Sequence, residues 1–201
     1  MSQLILPTPI VLAGSSYDVN GGTGALIYSA YETTSATGVL TCATAKLPAF
    51  SVINDAALEF NAVLRIASGS DSTITAAVTV SDMDGTTNAV SITSPSHTAD
   101  SLAADRIVEV SMKVFMTRGK NGDGDSIFPM ATGVISCYAV NGAETTANRT
   151  SFANWLTASA MARFHLDQRV VLKVTRSAGT SLMQLRHGRI TGYNLNTTNA
   201  I

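Results

Sequence analysis

The residues of this sequence whose types could support catalysis are few and far apart. The three histidines lack the spacing of metal ligands: His97, His165 and His187. His165 and Asp167 would share a face if they lay on a strand, and the carboxylate could then orient the imidazole. No nucleophile accompanies the pair, so we favour a solvated pair on a strand whose Phe164 and Leu166 point inward. With no nucleotide-binding, zinc-protease or hydrolase motif present, the sequence predicts a non-enzymatic protein without a cofactor.

The best arrangement of metal-binding side chains lies in a glycine-rich segment. Asn121, Asp123 and Asp125 offer three oxygen ligands at alternate positions, as calcium loops do. Counted from Asn121, the sixth and twelfth positions hold Ser126 and Thr132, where a calcium-binding EF-hand needs glycine and a carboxylate. We therefore expect no essential metal, although this loop could hold calcium adventitiously.

Two further groups have a structural and a functional interpretation. The basic segment 186–189 (Arg-His-Gly-Arg) is better explained by ion pairs with neighbouring carboxylates than by a phosphate site. Trp155 and Phe152 could form a sugar-binding platform, but a helix that begins at Ser151 would place both on one buried face, and we favour that core role.

The charge balance excludes one class of partner. The 201 residues carry 13 Lys and Arg against 14 Asp and Glu, which gives a formal net charge of -1. Binding to nucleic acid needs an excess of positive charge, so we expect none. No stretch approaches the ~20 apolar residues that span a bilayer, and we expect no membrane association. A mean hydropathy of +0.21 excludes a disordered chain.

Hydrophobic residues alternate with polar ones along most of the chain, which is the pattern of half-buried strands. In segment 58–66 the even-numbered positions are apolar, and segments 74–80 and 108–116 repeat the pattern. Tight turns such as Asp82–Gly85 separate the strands. The sequence predicts an all-β, antiparallel, jelly-roll-like β-sandwich with one short helix from Ser151. Its predicted core includes Leu58, Phe60, Leu64, Ile66, Val110, Val114, Leu172 and Val174.

We divide the chain into an extended N-terminal arm with a glycine hinge, residues 1–24, and a single sandwich domain, residues 25–201. Pro7 and Pro9 remove backbone donors, so the arm cannot be a helix or a central strand. Its apolar residues should be buried, and we favour burial against a neighbouring subunit over the arm's own domain. The predicted partner-binding residues are Leu4, Ile5, Leu6, Pro7, Pro9, Ile10, Val11 and Leu12. Cys42 and Cys137 could form a disulfide, but we favour a free buried pair.

A β-rich chain with abundant Ser, Thr, Ala and Gly, only 13% charged residues and this proline-containing arm resembles virion structural proteins of tailed bacteriophages, above all head decoration or cement proteins. The resemblance implies a protein that is assembled into virions in the host cytoplasm. It further implies as partners a major capsid protein and other copies of the same chain, with a trimer as the leading arrangement. A tail component and a carbohydrate-binding adhesin module are the alternatives.

Overall fold

The computed structural model describes residues 10–13, 38–66, 72–99, 106–118, 126–139, 148–155, 163, 165–177 and 183–195. These residues contain eleven β-strands and no helix. The strands are β1 (Ile10–Ala13), β2 (Gly38–Leu47), β3 (Val52–Ile66), β4 (Ser72–Asp82), β5 (Val90–Thr93), β6 (His97–Ala99), β7 (Arg106–Arg118), β8 (Ser126–Ala139), β9 (Asn148–Trp155), β10 (Gln168–Arg176) and β11 (Met183–Leu195). Within the described part of the chain, no helix is long and apolar enough to cross a membrane.

The strands form two antiparallel sheets. The six-stranded sheet has the order β1-β11-β3-β7-β8-β9, and the five-stranded sheet has the order β2-β10-β4-β5, with β6 paired to the other half of β4. Alternation along the strands decides which side chains face inward. Phe60 lies opposite Met112 on the inner face, whereas the next pair, Glu59 and Lys113, lies on the outer face.

The inner faces of both sheets contribute to one apolar core, which gives the layers of a β-sandwich. All eight core residues that the sequence predicts are at most 1% exposed, which confirms the assignment of faces: Leu58, Phe60, Leu64, Ile66, Val110, Val114, Leu172 and Val174. Cys42 and Cys137 are buried and form no disulfide, which confirms the alternative that we favoured.

The sheets meet closely where β11 passes β2. A Cβ added at Gly188 would collide with the carbonyl oxygen of Cys42, so only glycine fits this position. At the opposite margin, the side chain of Asn154 donates a hydrogen bond to the carbonyl of Thr93, which joins β9 to β5. Each margin of the sandwich is thus fixed by a specific contact between the sheets.

The structure does not confirm two finer predictions of the fold, which are the short helix and the jelly-roll connection. The helix predicted from Ser151 is wrong over 151–155, where the backbone pairs with β8 as strand β9. Phe152 packs against Gly133 of β8 there, and a Cβ on that glycine would collide with the ring. The jelly-roll connection is not confirmed, because β7, β8 and β9 are neighbours in chain order and form a meander.

The described part of the N-terminal arm is an edge strand. Ile10 lies opposite Gly192, so β1 pairs with β11 of its own chain at the margin of the six-stranded sheet. An edge is where a segment that follows two prolines can join a sheet. Residues 4–9 of the arm and the glycine hinge 21–24 lie outside the described residues.

Candidate functional site

Three separate segments of the chain meet at one end of the five-stranded sheet. Gln168 pairs with Leu47 on one side and with Asp82 on the other, so these three residues stand in one row across β2, β10 and β4. The turn after Leu47, the turn after Asp82 and the segment before Gln168 therefore lie side by side. We call this surface the turn end and define it by Ala49, Phe50, Met83, Leu166 and Asp167.

The turn end exposes large apolar side chains. Phe50 is 51% exposed, Met83 44% and Leu166 43%. One other large hydrophobic residue of the described chain is comparably exposed, namely Val39, which lies near the opposite end of β2. Scattered single apolar residues are normal on a protein surface, but three on adjoining turns form a patch of the kind that binds other molecules.

The backbone of Phe50 is strained, and its side chain is exposed. Its φ angle is 59°, in the left-handed region that bulky residues rarely adopt. Asn88, with φ at 48°, is a residue type that tolerates this region through local hydrogen bonds of its side chain. Strain of this kind costs about 1–3 kcal/mol and is typical of functional sites. Position 50 therefore holds a residue whose backbone is strained and whose side chain is not part of the core.

Charged groups hold the segments of the turn end together. The Asp167 carboxylate pairs with the Lys46 ammonium at 2.5 Å and accepts a hydrogen bond from the Ala49 amide at 2.9 Å. These bonds, the one from Lys46 first, lower the pKa of Asp167. The carboxylate thereby fixes the segment before β10 against the turn that carries Phe50.

Asp82 and Asp84 order the neighbouring turn. Asp82 accepts hydrogen bonds from the side chains of Asn88 at 2.7 Å and Gln168 at 3.1 Å. Asp84 accepts from the Thr87 hydroxyl and from the amides of Thr86 and Thr87, and these bonds lower its pKa to about 2. Met83 is thus presented on a rigid turn. Between the segments lies an open depression of about 510 Å³, lined by Ala49, Asp82, Met83, His165, Leu166 and Asp167.

A second group of side chains lies on the outer face of the six-stranded sheet. The Lys113 ammonium is 5.0 Å from the ring centroid of Tyr193 and 5.3 Å from that of Phe115. The Glu59 carboxylate accepts a hydrogen bond from the Tyr193 hydroxyl at 2.7 Å and another from the Asn61 side-chain amide at 3.0 Å. These bonds, the one from Asn61 first, lower the pKa of Glu59, and the bond to Glu59 raises the pKa of Tyr193. We call this group the aromatic face.

The structure does not form the strand that would place His165 and Asp167 on one face. His165 and Asp167 precede β10 in a turn and do not lie on a strand, and Asp167 is bonded to Lys46 and Ala49. Leu166, expected to point inward, is exposed, because the strand alternation begins only at Gln168. Among the described residues, no three His, Cys, Asp or Glu side chains come together as metal ligands do.

The remaining groups that the sequence singled out are the basic segment 186–189, Trp155, the calcium candidates and the arm. Arg186 donates to the side-chain oxygen of Gln184 at 2.9 Å, whereas the sequence suggested a carboxylate partner. In the register of the six-stranded sheet, Trp155 lies opposite Met130, and Met130 lies opposite Phe115. The same row continues through Ala57 to Tyr193. The calcium candidates Asn121, Asp123 and Asp125 and the arm residues Leu4 to Pro9 lie outside the described residues.

The patterns that predict the strands do not single out Phe50 and Met83 as functional residues. The available signal was a large apolar residue inside a turn, in Pro48-Ala49-Phe50-Ser51 and again in Asp82-Met83-Asp84-Gly85. Turns favour Gly, Pro, Asn, Asp and Ser for conformational reasons, so Phe50 and Met83 are the exceptions that needed an explanation.

No protein-family model matches this chain, and no curated protein matches it either. Among solved structures, a chain in the structure of infectious bursal disease virus Gt strain is 11% identical, with 94% of this chain and 42% of that chain covered and a TM-score of 0.29. For a chain of the Gx strain the identity is 13%, the coverage 96% and 42%, and the TM-score 0.23. This chain thus spans less than half the length of both. At TM-scores this low, neither likeness establishes a shared fold.

Proposed function

We propose that this chain is a non-enzymatic structural protein of a virion, and that it decorates or cements the capsid of a tailed bacteriophage. The observation that carries the proposal is the turn end. Phe50, Met83 and Leu166 are exposed together, and Phe50 is also strained. The strain destabilises the isolated chain and the exposed side chains add little to its stability, which supports a surface that is kept for contact with another protein.

The composition favours a repetitive particle as the setting of that contact. Charged residues make up only 13% of the chain, which limits repulsion between crowded copies. On the outer face of the five-stranded sheet, hydroxyl groups bond to one another, as Thr79 does to Ser91 at 3.0 Å. Many copies at fixed spacing also turn a modest contact into stable attachment. The partners would be a major capsid protein and further copies of this chain, joined in part by the arm residues Leu4 to Pro9, because the rest of the predicted arm belongs to β1, which pairs with the chain's own β11.

Purified particles from the source test the proposal directly. We expect antibody labelling and image averaging to show this chain at regular positions on the head in a fixed copy number. Its absence from purified particles would overturn the proposal. Label on the tail alone would instead support the tail-component alternative, which uses the same kind of contact.

A matched pair of variants tests the turn end. We expect the triple variant Phe50→Ser, Met83→Ser, Leu166→Ser to lower occupancy on particles by roughly tenfold or more, since it removes the apolar anchors of the contact. Val39→Ser is the control, because Val39 is 54% exposed at the opposite end of β2. Equal occupancy for the triple variant and the control would show that the turn end is not the attachment surface.

The aromatic face favours a second candidate function, the binding of carbohydrate. Aromatic rings beside a carboxylate and an amide are the groups that recognise sugars, and Phe115, Tyr193, Glu59 and Asn61 supply them on an outer sheet face. If this function is correct, the chain binds specific members of a glycan array, and Tyr193→Ser abolishes that binding. Tyr138→Ser is the control, because Tyr138 lies opposite Ile107 on the same face at the other end of the sheet. An array without any bound glycan would exclude this candidate.

A further inference from the structure

Two cations at the aromatic face have no carboxylate partner among the described residues. The Lys113 ammonium lies between the rings of Tyr193 and Phe115, at 5.0 and 5.3 Å from their centroids. Arg189 lies opposite Asn61 in the register, and its side chain is exposed. Neither cation forms an ion pair or a hydrogen bond within the part of the chain that the structure describes. The donors of both groups are therefore available to a ligand.

The carboxylate beside these cations is already engaged. Oε1 of Glu59 accepts a hydrogen bond from Asn61 at 3.0 Å, and Oε2 accepts one from the Tyr193 hydroxyl at 2.7 Å. These two bonds lower the pKa of Glu59 most, and the charges of Lys113 and Arg189 lower it further. Both cations thus act on the same small area. Since each carboxylate oxygen has a partner, this area offers a ligand mainly donors and aromatic rings.

The outer face of the six-stranded sheet differs in charge from the chain as a whole. We count the described side chains that alternation directs outward from β3, β7, β8, β9 and from β11 after Arg186. Four are cations and two are carboxylates, namely Arg65, Lys113, Arg149 and Arg189 against Glu59 and Glu109. The formal charge of the whole chain is -1. A positive face on a slightly negative protein attracts an anionic ligand.

The two rings are spaced for a ligand longer than a single ion. Tyr193 and Phe115 lie on either side of Ala57 in one row, two strands apart, so their backbones are about 10 Å from each other. Lys113 lies in the adjoining row, opposite Glu59. A ligand that covers both rings therefore passes the ammonium. An inorganic anion would leave the rings unused, and a nucleic acid would need a larger excess of cations along its phosphates.

We propose that the aromatic face binds a carbohydrate that carries carboxylate groups, such as uronic or sialic acid units. The sugar rings pack against Tyr193 and Phe115, and a carboxylate accepts charge-assisted hydrogen bonds from Lys113 and Arg189. Glu59 is a positioning residue, because it holds the Tyr193 hydroxyl. The inference rests on the carbohydrate-binding candidate function, for which it names the class of sugar and two specificity-determining cations.

Two matched pairs of probes test the proposal on the full chain. Sialyllactose is compared with lactose, and a galacturonic acid oligomer with its methyl ester, which keeps the sugar rings but removes the charge. We expect at least one acidic probe to bind about tenfold more tightly than its neutral counterpart, and added salt to reduce this preference. If neither acidic probe binds more tightly than its counterpart, the proposal is wrong.

Variants of the cations show whether the preference comes from this face. Lys113→Met and Arg189→Gln should each lower the affinity for the acidic probe by about tenfold with an unchanged melting temperature. Lys173→Met is the matched control, because Lys173 is an exposed lysine on β10 of the other sheet. Equal affinity of the control and both cation variants would place the binding elsewhere and overturn the proposal.

A variant of Glu59 distinguishes its positioning role from direct contact with sugar. Glu59→Gln keeps an oxygen that accepts from the Tyr193 hydroxyl and removes a negative charge beside Lys113. We therefore expect equal or tighter binding of the acidic probe. Loss of binding with an unchanged melting temperature would show that the carboxylate itself contacts the ligand, contrary to the proposal.

The outcomes separate this inference from the functions proposed above. If neutral glycans bind and acidic ones do not, the carbohydrate-binding candidate stands and the inference alone is wrong. Tighter binding of a ten-nucleotide thymidine oligomer than of either acidic probe would identify a nucleic-acid surface and also overturn the inference. If an acidic probe binds while the chain is absent from purified particles, the inference stands and the virion role is wrong.

Discussion

The two ends of the five-stranded sheet depart from the usual distribution of side chains in opposite ways. At the turn end, Phe50 and Met83 are exposed although they are apolar. At the other end, which we call the far end, Arg176 and His97 both pair with Ile74 in the register. Each is only 1% exposed although it is polar or charged. The turn end exposes three apolar side chains on adjoining turns, whereas the far end exposes Val39 alone among the large apolar residues of the described chain and buries a charged group.

The far end is stabilised by contacts that the fold itself supplies. The imidazole of His97 forms a hydrogen bond with the Thr150 hydroxyl at 2.7 Å, so it joins β6 to β9 across the sandwich. Burial lowers the pKa of Arg176, which reflects the cost of removing its charge from water. A buried polar group is tolerated where the fold itself supplies its contacts. The far end thus serves the fold, whereas the turn end is the surface that we propose for contact with another molecule.

The largest expected effect is at Arg176. Arg176→Ala should lower the free energy of unfolding by about 2–5 kcal/mol, because it empties a large buried volume and breaks the surrounding polar contacts. Arg186→Ala, at an exposed position of β11, is the control and should change it by about 0.5 kcal/mol or less. Denaturant unfolding measures both. Similar small losses would show that the far end does not depend on its buried cation.

The contact between the sheets at the far end should have a smaller effect. Thr150→Val keeps the side-chain volume but removes the hydroxyl that bonds to His97. We expect a loss of about 1–3 kcal/mol in denaturant unfolding, because a buried ring nitrogen loses its partner. Thr132→Val, on the outer face of β8, is the comparison and should be close to neutral. A neutral Thr150→Val would mean that this hydrogen bond does not stabilise the sandwich.

At the turn end we expect a substitution that raises the free energy of unfolding. Phe50→Gly should raise the stability of the isolated chain by about 0.5–1 kcal/mol, since glycine adopts a φ of 59° without strain and this gain should outweigh the contacts of a half-exposed ring. The same variant should bind particles less well. Ala49→Gly is the control and should not stabilise the chain. A destabilised Phe50→Gly chain would show that Phe50 supports the fold, and the contrast between the two ends would fail.

The smallest effect concerns pH at the turn that presents Met83. Hydrogen bonds lower the pKa of Asp84 from 3.8 to about 2, so the ionised form stabilises the folded chain above pH 3.8. That stabilisation is lost as the pH falls toward about 2. Asp84→Asn should therefore flatten the dependence of the melting temperature on pH across this window, compared with Glu109→Gln on β7. An unchanged slope would show that the turn does not depend on this carboxylate.

Alternation predicted the core because it needs only the local period of a strand. The alternation pattern gave a wrong prediction where a strand ends, and also where the spacing of apolar residues fits both a strand and a helix. Alternation with His165 and Asp167 predicts that Leu166 points inward, but Leu166 precedes the strand and is exposed. Phe152 and Trp155 are spaced by three, which suits a helix, yet pairing with β8 makes the segment a strand.

The candidate site could not be predicted because it depends on register. Ala49 and Asp167 bond to each other across 118 residues of sequence, and Lys46 pairs with Asp167 only because β2 and β10 are neighbours. The alternation pattern of a single sequence does not show which strands pair. The aromatic face has the same origin, since Phe115 and Tyr193 come together only when β7 and β11 flank β3.

The place of β11 has a consequence for the timing of biosynthesis. This strand lies between β1 and β3, although it is made long after both. Until β11 emerges from the ribosome, β1 has no partner in its sheet and one edge of β3 is unpaired. Pairing so distant in sequence also folds slowly, in milliseconds to seconds. Nascent chains that lie close together could therefore exchange β1 strands before each sheet closes, so the interval before β11 docks decides between separate and strand-swapped copies.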